Sequence, residues 1–171
     1  MDSSSLPTEP QQTNIRVIPF AVALPPEVSG PRALDVSGVV GTLTLLGDKS
    51  VMVWFGLGQV QAKEESNTSE TAVVGKALQR PMGPLLLAMP RSRYQGAFGS
   101  ETPITKLIGH EQEDTELLAG KMASRLTQRV QKAVFVSCDL EPAANGSLNQ
   151  KLQQTVAALA EREVYRILQT S

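Results

Sequence analysis

Hydrophobic and polar positions alternate most clearly between Val36 and Phe55. Val40, Thr42, Thr44 and Leu46 share one parity, while Val39, Leu43 and Leu45 share the other, the period-two signature of a strand. Gly47-Asp48-Lys49 then supplies turn chemistry, and Ser50 to Phe55 follows as a second run, so the stretch predicts a β-hairpin. Val51, Met52, Val53, Trp54 and Phe55 are apolar at both parities, which predicts a central strand covered on both faces.

The same reading extends along the chain. Residues 1–13 are rich in Ser, Pro and Gln and are expected to be disordered. Ile15 to Leu24 predicts a strand at an edge or with a bulge, because Pro19 has no amide to donate. Pro25, Pro26, Gly30 and Pro31 mark a loop. From Lys63 to Glu70 there is no apolar residue, and 61–80 is expected to be a flexible insertion between two strands. Pro84 to Pro90 and Pro103 to Ile108 return to strand character.

Helical periodicity appears twice. Between Asp114 and Arg129, Leu118, Met122, Leu126 and Val130 recur every four residues and form one apolar stripe. Asp114 and Glu116 open that segment and Arg125, Arg129 and Lys132 close it, complementing the helix macrodipole. Ala133 to Leu140 predicts a strand with Val134, Phe135 and Val136 in the core, ended by the Asn145-Gly146 turn. Ser147 and Gln150 form a capping box for a last helix striped by Leu148, Leu152, Val156, Leu159, Ala160, Val164, Ile167 and Leu168. Such a helix is about 33 Å long, enough to cross a sheet. Its stripe packs either on its own sheet or on a partner. Strands, helix, strand and helix, with a hairpin at their heart, predict an α+β fold: an antiparallel β-sheet core flanked by two main helices. The expected organisation is a tail over 1–13 and one domain over 14–171.

Charge changes little in this picture. The 171 residues carry 16 basic and 17 acidic side chains, a formal charge of -1, and so no bulk field for nucleic acid or an anionic membrane. No stretch approaches the roughly twenty apolar residues that span a bilayer. Met1 to Thr13 has no signal-peptide pattern, so the sequons at Asn67 and Asn145 are expected to be bare, with the cytoplasm or nucleus as default compartment.

Catalytic candidates are few. Cys138 is the only cysteine and lies in an apolar run, where a buried small hydrophobe is the better reading than a nucleophile. His110, the only histidine, sits beside Gly109 and the acids Glu111, Glu113, Asp114 and Glu116, a solvated loop. Those acids lack the ligand order and glycine of a calcium loop. Gly56-Leu57-Gly58 has Gln61 where a dinucleotide loop needs its third glycine. No metal, cofactor or catalytic residue is expected. Surface recognition remains, with Arg91, Arg93 and Tyr94 as the protein-binding candidates, since Arg and Tyr dominate interface energetics. The alternative for them is a polar loop with a tucked aromatic.

Several of these stretches together resemble the proteasome assembly chaperone 4 family. Ser50 to Gly56 is similar to the family's strand ending in Trp and Gly. Leu87-Ala88-Met89 with Ser92-Arg93-Tyr94 resembles its next strand and Ser-Arg-Tyr turn. Pro103-Ile104, Leu107-Ile108-Gly109, Leu118, Leu126 and Val134 to Ser137 continue the match in order. The resemblance implies a non-catalytic chaperone that pairs with proteasome assembly chaperone 3. That heterodimer would bind proteasome α-type subunits, the fifth above all, promote α-ring assembly, and leave before the 20S core is complete. A trafficking or signalling scaffold of similar α+β build is the alternative. The chain departs from shorter members in its N-terminus, in the 61–80 insertion and at Cys138.

Overall fold

Each apolar run finds its element once the pairing is laid out. The computed structural model describes residues 14–25, 37–63, 72–77, 82–91, 102–109, 113–140 and 150–170. The elements are β1 (Ile15–Ala23), β2 (Gly38–Leu46), β3 (Ser50–Lys63), β4 (Ala72–Ala77), β5 (Leu85–Ala88), β6 (Ile104–Ile108), α1 (Glu113–Val130), β7 (Ala133–Asp139) and α2 (Gln150–Thr170). The expected tail over 1–13, the Asn145-Gly146 turn and the Ser147 cap lie outside the described residues.

The strands form one seven-stranded sheet in the order β1-β2-β3-β7-β5-β6, with β4 added to β3. The β2–β3 hairpin forms as its alternation predicts, and Gly47 takes the left-handed conformation (φ 63°) that the tight turn needs. β1 is an outer strand among the described residues, an edge position that tolerates Pro19. The build is α+β as expected, with one refinement: β3 and β7 pair in parallel, so the sheet is mixed rather than wholly antiparallel. Val51, Val53 and Phe55 meet Val134, Val136 and Cys138 there, and all six are fully buried.

Both helices pack on the face that these residues share. Met122 and Leu126 of α1 and Val156, Ala160 and Val164 of α2 are 0% exposed, as their stripes predict. α1 lies over β5 and β7, and α2 over β1, β2 and β3, so the last helix seats on its own sheet. Between the helices sits Glu161, a buried carboxylate on α2. Arg125 of α1 donates to it from Nε and Nη2 at 2.9 and 2.5 Å, and Arg129 approaches at 3.7 Å while its guanidinium stacks on the Tyr165 ring. Arg125 supplies the hydrogen bonds without which this carboxylate would be costly to bury.

Two expectations need correcting. Residues 61–80 are not simply a loop: β3 runs on to Lys63, and Ala72 to Ala77 pairs with Gly58 to Lys63 as β4. Gly75 makes this possible, since a Cβ there would run into Val40 and Ala21 on the face opposite the helices. β4 therefore folds over that end of the sheet and covers Val40, which the helices do not reach. Nor is β3 covered on both faces throughout. Val51, Val53, Phe55 and Leu57 are buried under helices, whereas Met52 and Trp54 on the other face are half-buried.

The core makes two predictions. Arg125→Ala strips the hydrogen bonds from buried Glu161 and should cost about 1–3 kcal/mol in urea unfolding, whereas Arg166→Ala, which removes an exposed pair with Glu163, should change the midpoint little. Burial first, and then the charge of Asp139, push the Cys138 thiol from 9.0 up to about 12. The folded state thus holds its proton after the unfolded chain has lost it. That contribution is intact below pH 9.0 and is lost as pH rises toward 12. Stability should fall by about 1 kcal/mol between about pH 8 and about pH 10 beyond the fall shown by Cys138→Ala. Parallel slopes for the two proteins would refute the assignment.

Candidate functional site

The groups that could do covalent chemistry are not placed to do it. Cys138 is 0% exposed, its Sγ lies 3.5 Å from the Thr115 carbonyl oxygen, and burial holds it as the thiol. His110 lies outside the described residues. Among the described residues no group of three or more His, Cys, Asp or Glu could hold a metal ion. No described helix is long and apolar enough to cross a membrane.

Arg91 stands exposed just beyond β5, at a cleft of about 280 Å³ lined also by Pro90, Thr102, Thr127, Gln128 and Gln131. The cleft wall is ordered by hydrogen bonds. Thr127 Oγ1 donates to the Ala88 carbonyl at 3.2 Å, and Gln128 Nε2 donates to Thr102 Oγ1 at 3.0 Å. Gln131 Nε2 also donates to the Gln128 carbonyl at 2.8 Å, so Thr102, Thr127, Gln128 and Gln131 are engaged within the fold. Arg93 and Tyr94 lie outside the described residues.

A larger feature lies on the sheet itself. Because both helices take one face, the strand residues of opposite parity face away from them. Strand register lines up Val17, Thr44, Met52, Phe135, Leu87 and Thr105 in one row across six strands. The next row is Pro19, Thr42, Trp54, Ser137 and Leu85. Val17 is 58% exposed at one border and Leu107 48% exposed at the other, with Ile15 and Leu46 exposed beside Val17. β4 closes one end of this face over Val40 and Ala21. What remains is a broad apolar sheet surface with the single tryptophan near its middle. Its central residues Met52, Trp54, Phe135 and Leu87 are half-buried and Ser137 is buried, while the borders are exposed. Apolar surface left partly open in this way is a candidate interaction site. Large aromatic and Met side chains are the types enriched at interface cores.

The sequence contained one signal for this face. Two amphipathic helices of these lengths suffice for one side of a seven-stranded sheet, not for both. Met52 and Trp54 belong to the side left over, but apolar character alone does not distinguish a face covered by the chain's own helices from one awaiting a partner.

Comparison with known proteins bears on this geometry. Residues 39–140 match the family described as proteasome assembly chaperone 4. No curated protein sequence matches the chain. Among solved structures, a chain of a chaperone complex for yeast 20S proteasome assembly has a similar fold. It gives a TM-score of 0.53 at 12% identity over 91% of this chain and 96% of that one. At that identity the likeness speaks for the fold, including the α+β arrangement of sheet and helices. The family match covers β2 through β7 and α1, all the strands of the sheet except β1, and on it the chain belongs to the proteasome assembly chaperone 4 family.

Proposed function

We propose that this protein is a non-catalytic chaperone of 20S proteasome assembly whose open sheet face receives a second chaperone chain of similar build. The observation that carries the reading is the apolar face that no described helix covers, crossed by the half-buried Met52, Trp54, Phe135 and Leu87, on a member of this family. Burying it in a monomer would require a second helical layer, which the described chain does not supply. A sheet face of the same kind on a partner would match it at the roughly 10 Å spacing of packed sheets. The yeast protein of like fold was solved in a chaperone complex for 20S proteasome assembly, which supports an obligate pair here.

On this proposal the partner is proteasome assembly chaperone 3. The heterodimer engages α-type subunits, the fifth among them, to promote α-ring assembly in the cytoplasm or nucleus. Arg91, Arg93 and Tyr94 are proposed to contact the α subunit. Of the three, Arg91 follows β5 and stands exposed at the cleft beyond that strand.

Affinity purification of the tagged chain from cells, followed by mass spectrometry, tests the whole reading. The expected yield is a small α+β partner together with proteasome α subunits. Recovery of membrane-associated complexes, with neither of these, would refute it. Trp54→Glu places a charge at the centre of the sheet face and should weaken the heterodimer by about 30-fold or more, with the circular dichroism of the monomer retained. An unchanged dimer affinity would remove the face from the proposal. Changing Arg91, Arg93 and Tyr94 together to Ala should lower α-subunit recovery and leave the heterodimer intact. Equal recovery would make that turn structural.

A further inference from the structure

The layer of helices carries a charge that the whole chain conceals. From Lys121 onward, α1 and α2 contain six bases and only two acids, although the chain as a whole has a formal charge of -1. Both acids are already engaged: Glu161 is buried beneath Arg125 and Arg129, and Glu163 pairs with Arg166. Lys121, Arg125 and Arg129 recur at steps of four along α1 and are exposed, and Arg162 is exposed on the adjacent helix. The two helices thus present a basic surface on the side of the molecule opposite the apolar sheet face.

Two of these cations are held in place rather than trailing in solvent. Arg125 turns Nε and Nη2 inward to Glu161, at 2.9 and 2.5 Å, which leaves Nη1 as its outward nitrogen. Arg129 lies 5.0 Å from the Tyr165 ring centroid with Nη1 3.7 Å from the same carboxylate. Two guanidiniums share one carboxylate, so one positive charge is left over at a fixed place, with about half of each side chain accessible. A preorganised guanidinium pair of this kind suits a second carboxylate, because it loses little rotamer entropy on binding.

We propose that this basic helical face, centred on Arg125 and Arg129 and flanked by Lys121 and Arg162, docks a short acidic segment of a protein partner. The choice of a protein partner rests on the reading of the chain as an assembly chaperone; the charge chemistry does not. A nucleic-acid duplex is the poorer fit. It carries one charge per about 1.7 Å of axis, and one laid along α1 would run onto Glu113, Asp114 and Glu116 in the first turn. A short acidic segment needs only the basic stretch. Recognition is local, and the balanced charge of the whole chain does not oppose it.

The test uses the full chain and the variant Lys121→Glu/Arg162→Glu, which leaves Arg125, Arg129 and Glu161 untouched. The probe is a fluorescent peptide of about ten glutamates, read by anisotropy at about 50 mM and about 500 mM salt. The native chain should bind at low salt and lose affinity at high salt, and the variant should bind about tenfold more weakly or worse. Arg129→Lys, which keeps the charge and loses the planar fork, should fall in between. No binding by the native chain, or equal binding by the variant, would overturn the proposal. So would tighter binding of a DNA duplex or of phosphatidylserine vesicles than of the peptide. In affinity purification the variant should keep its partner chaperone and recover fewer α subunits. A native chain that binds the peptide but recovers no proteasome subunit would overturn the proposed function and leave the basic face standing.

Discussion

The parallel pairing of β3 with β7 constrains everything around it. Val51, Val53 and Phe55 lie beside Val134, Val136 and Cys138 in the middle of the sheet, all without solvent contact, and Ala133 N donates to the Lys49 carbonyl at 3.0 Å to fix the register. Two strands running the same way cannot be joined by a tight turn, so the chain must travel back before β7 begins. On that path it builds the β3–β4 extension, the β5–β6 pair and α1. α1 is delivered over β5 and β7, and the segment after β7 delivers α2 over β1 to β3. Each helix covers about half of one face, and among the described residues the opposite face receives only β4.

From this asymmetry follow the two surfaces that matter for function. The face without helices is apolar because its strands are central: they still carry Met52, Trp54, Phe135 and Leu87 at the parity that faces outward. The helical face is basic because the two helices meet over one buried acid, Glu161, which takes its hydrogen bonds from Arg125 and has Arg129 close by. Arg125 and Arg129 therefore serve the fold and display charge at once. A helix with its side chains is about 10 Å thick, more than the Debye length of about 8 Å in physiological salt. The charges on its outer side are screened from the sheet's far face.

How much of this was legible in the sequence depended on whether the signal was local. The β2–β3 hairpin could be read because Gly47-Asp48-Lys49 and the alternation beside it are contiguous. The stripes of α1 and α2 could be read because Leu118, Met122, Leu126 and Val130, like Val156, Ala160 and Val164, recur within a few turns. The parallel junction could not, since Val51 to Phe55 and Val134 to Val136 are each apolar at both parities and nothing local sets their relative direction. β4 was lost in a polar surrounding: Ala72 to Ala77 is short, and Gly75 weakens its strand signal while being the residue that lets it fold over Val40. Of the site candidates, Arg91 is placed at a border cleft, and the broad surface on the sheet was misread as interior.

That misreading has a physical cause that reaches beyond Met52 and Trp54. Apolar residues at both parities of a strand report that both faces avoid water, and they say nothing of whether the second cover comes from the same chain. The helix count does say it, because each helix shields only a few strands, and two helices against seven strands leave a face over. The basic surface was hidden by the opposite error. Arg125 and Arg129 read singly as helix-end charges, and the total of -1 averages them and Lys121 against acids elsewhere. Only the packing of α1 on α2, which buries Glu161 and leaves two guanidiniums around it, turns a neutral composition into a charged face.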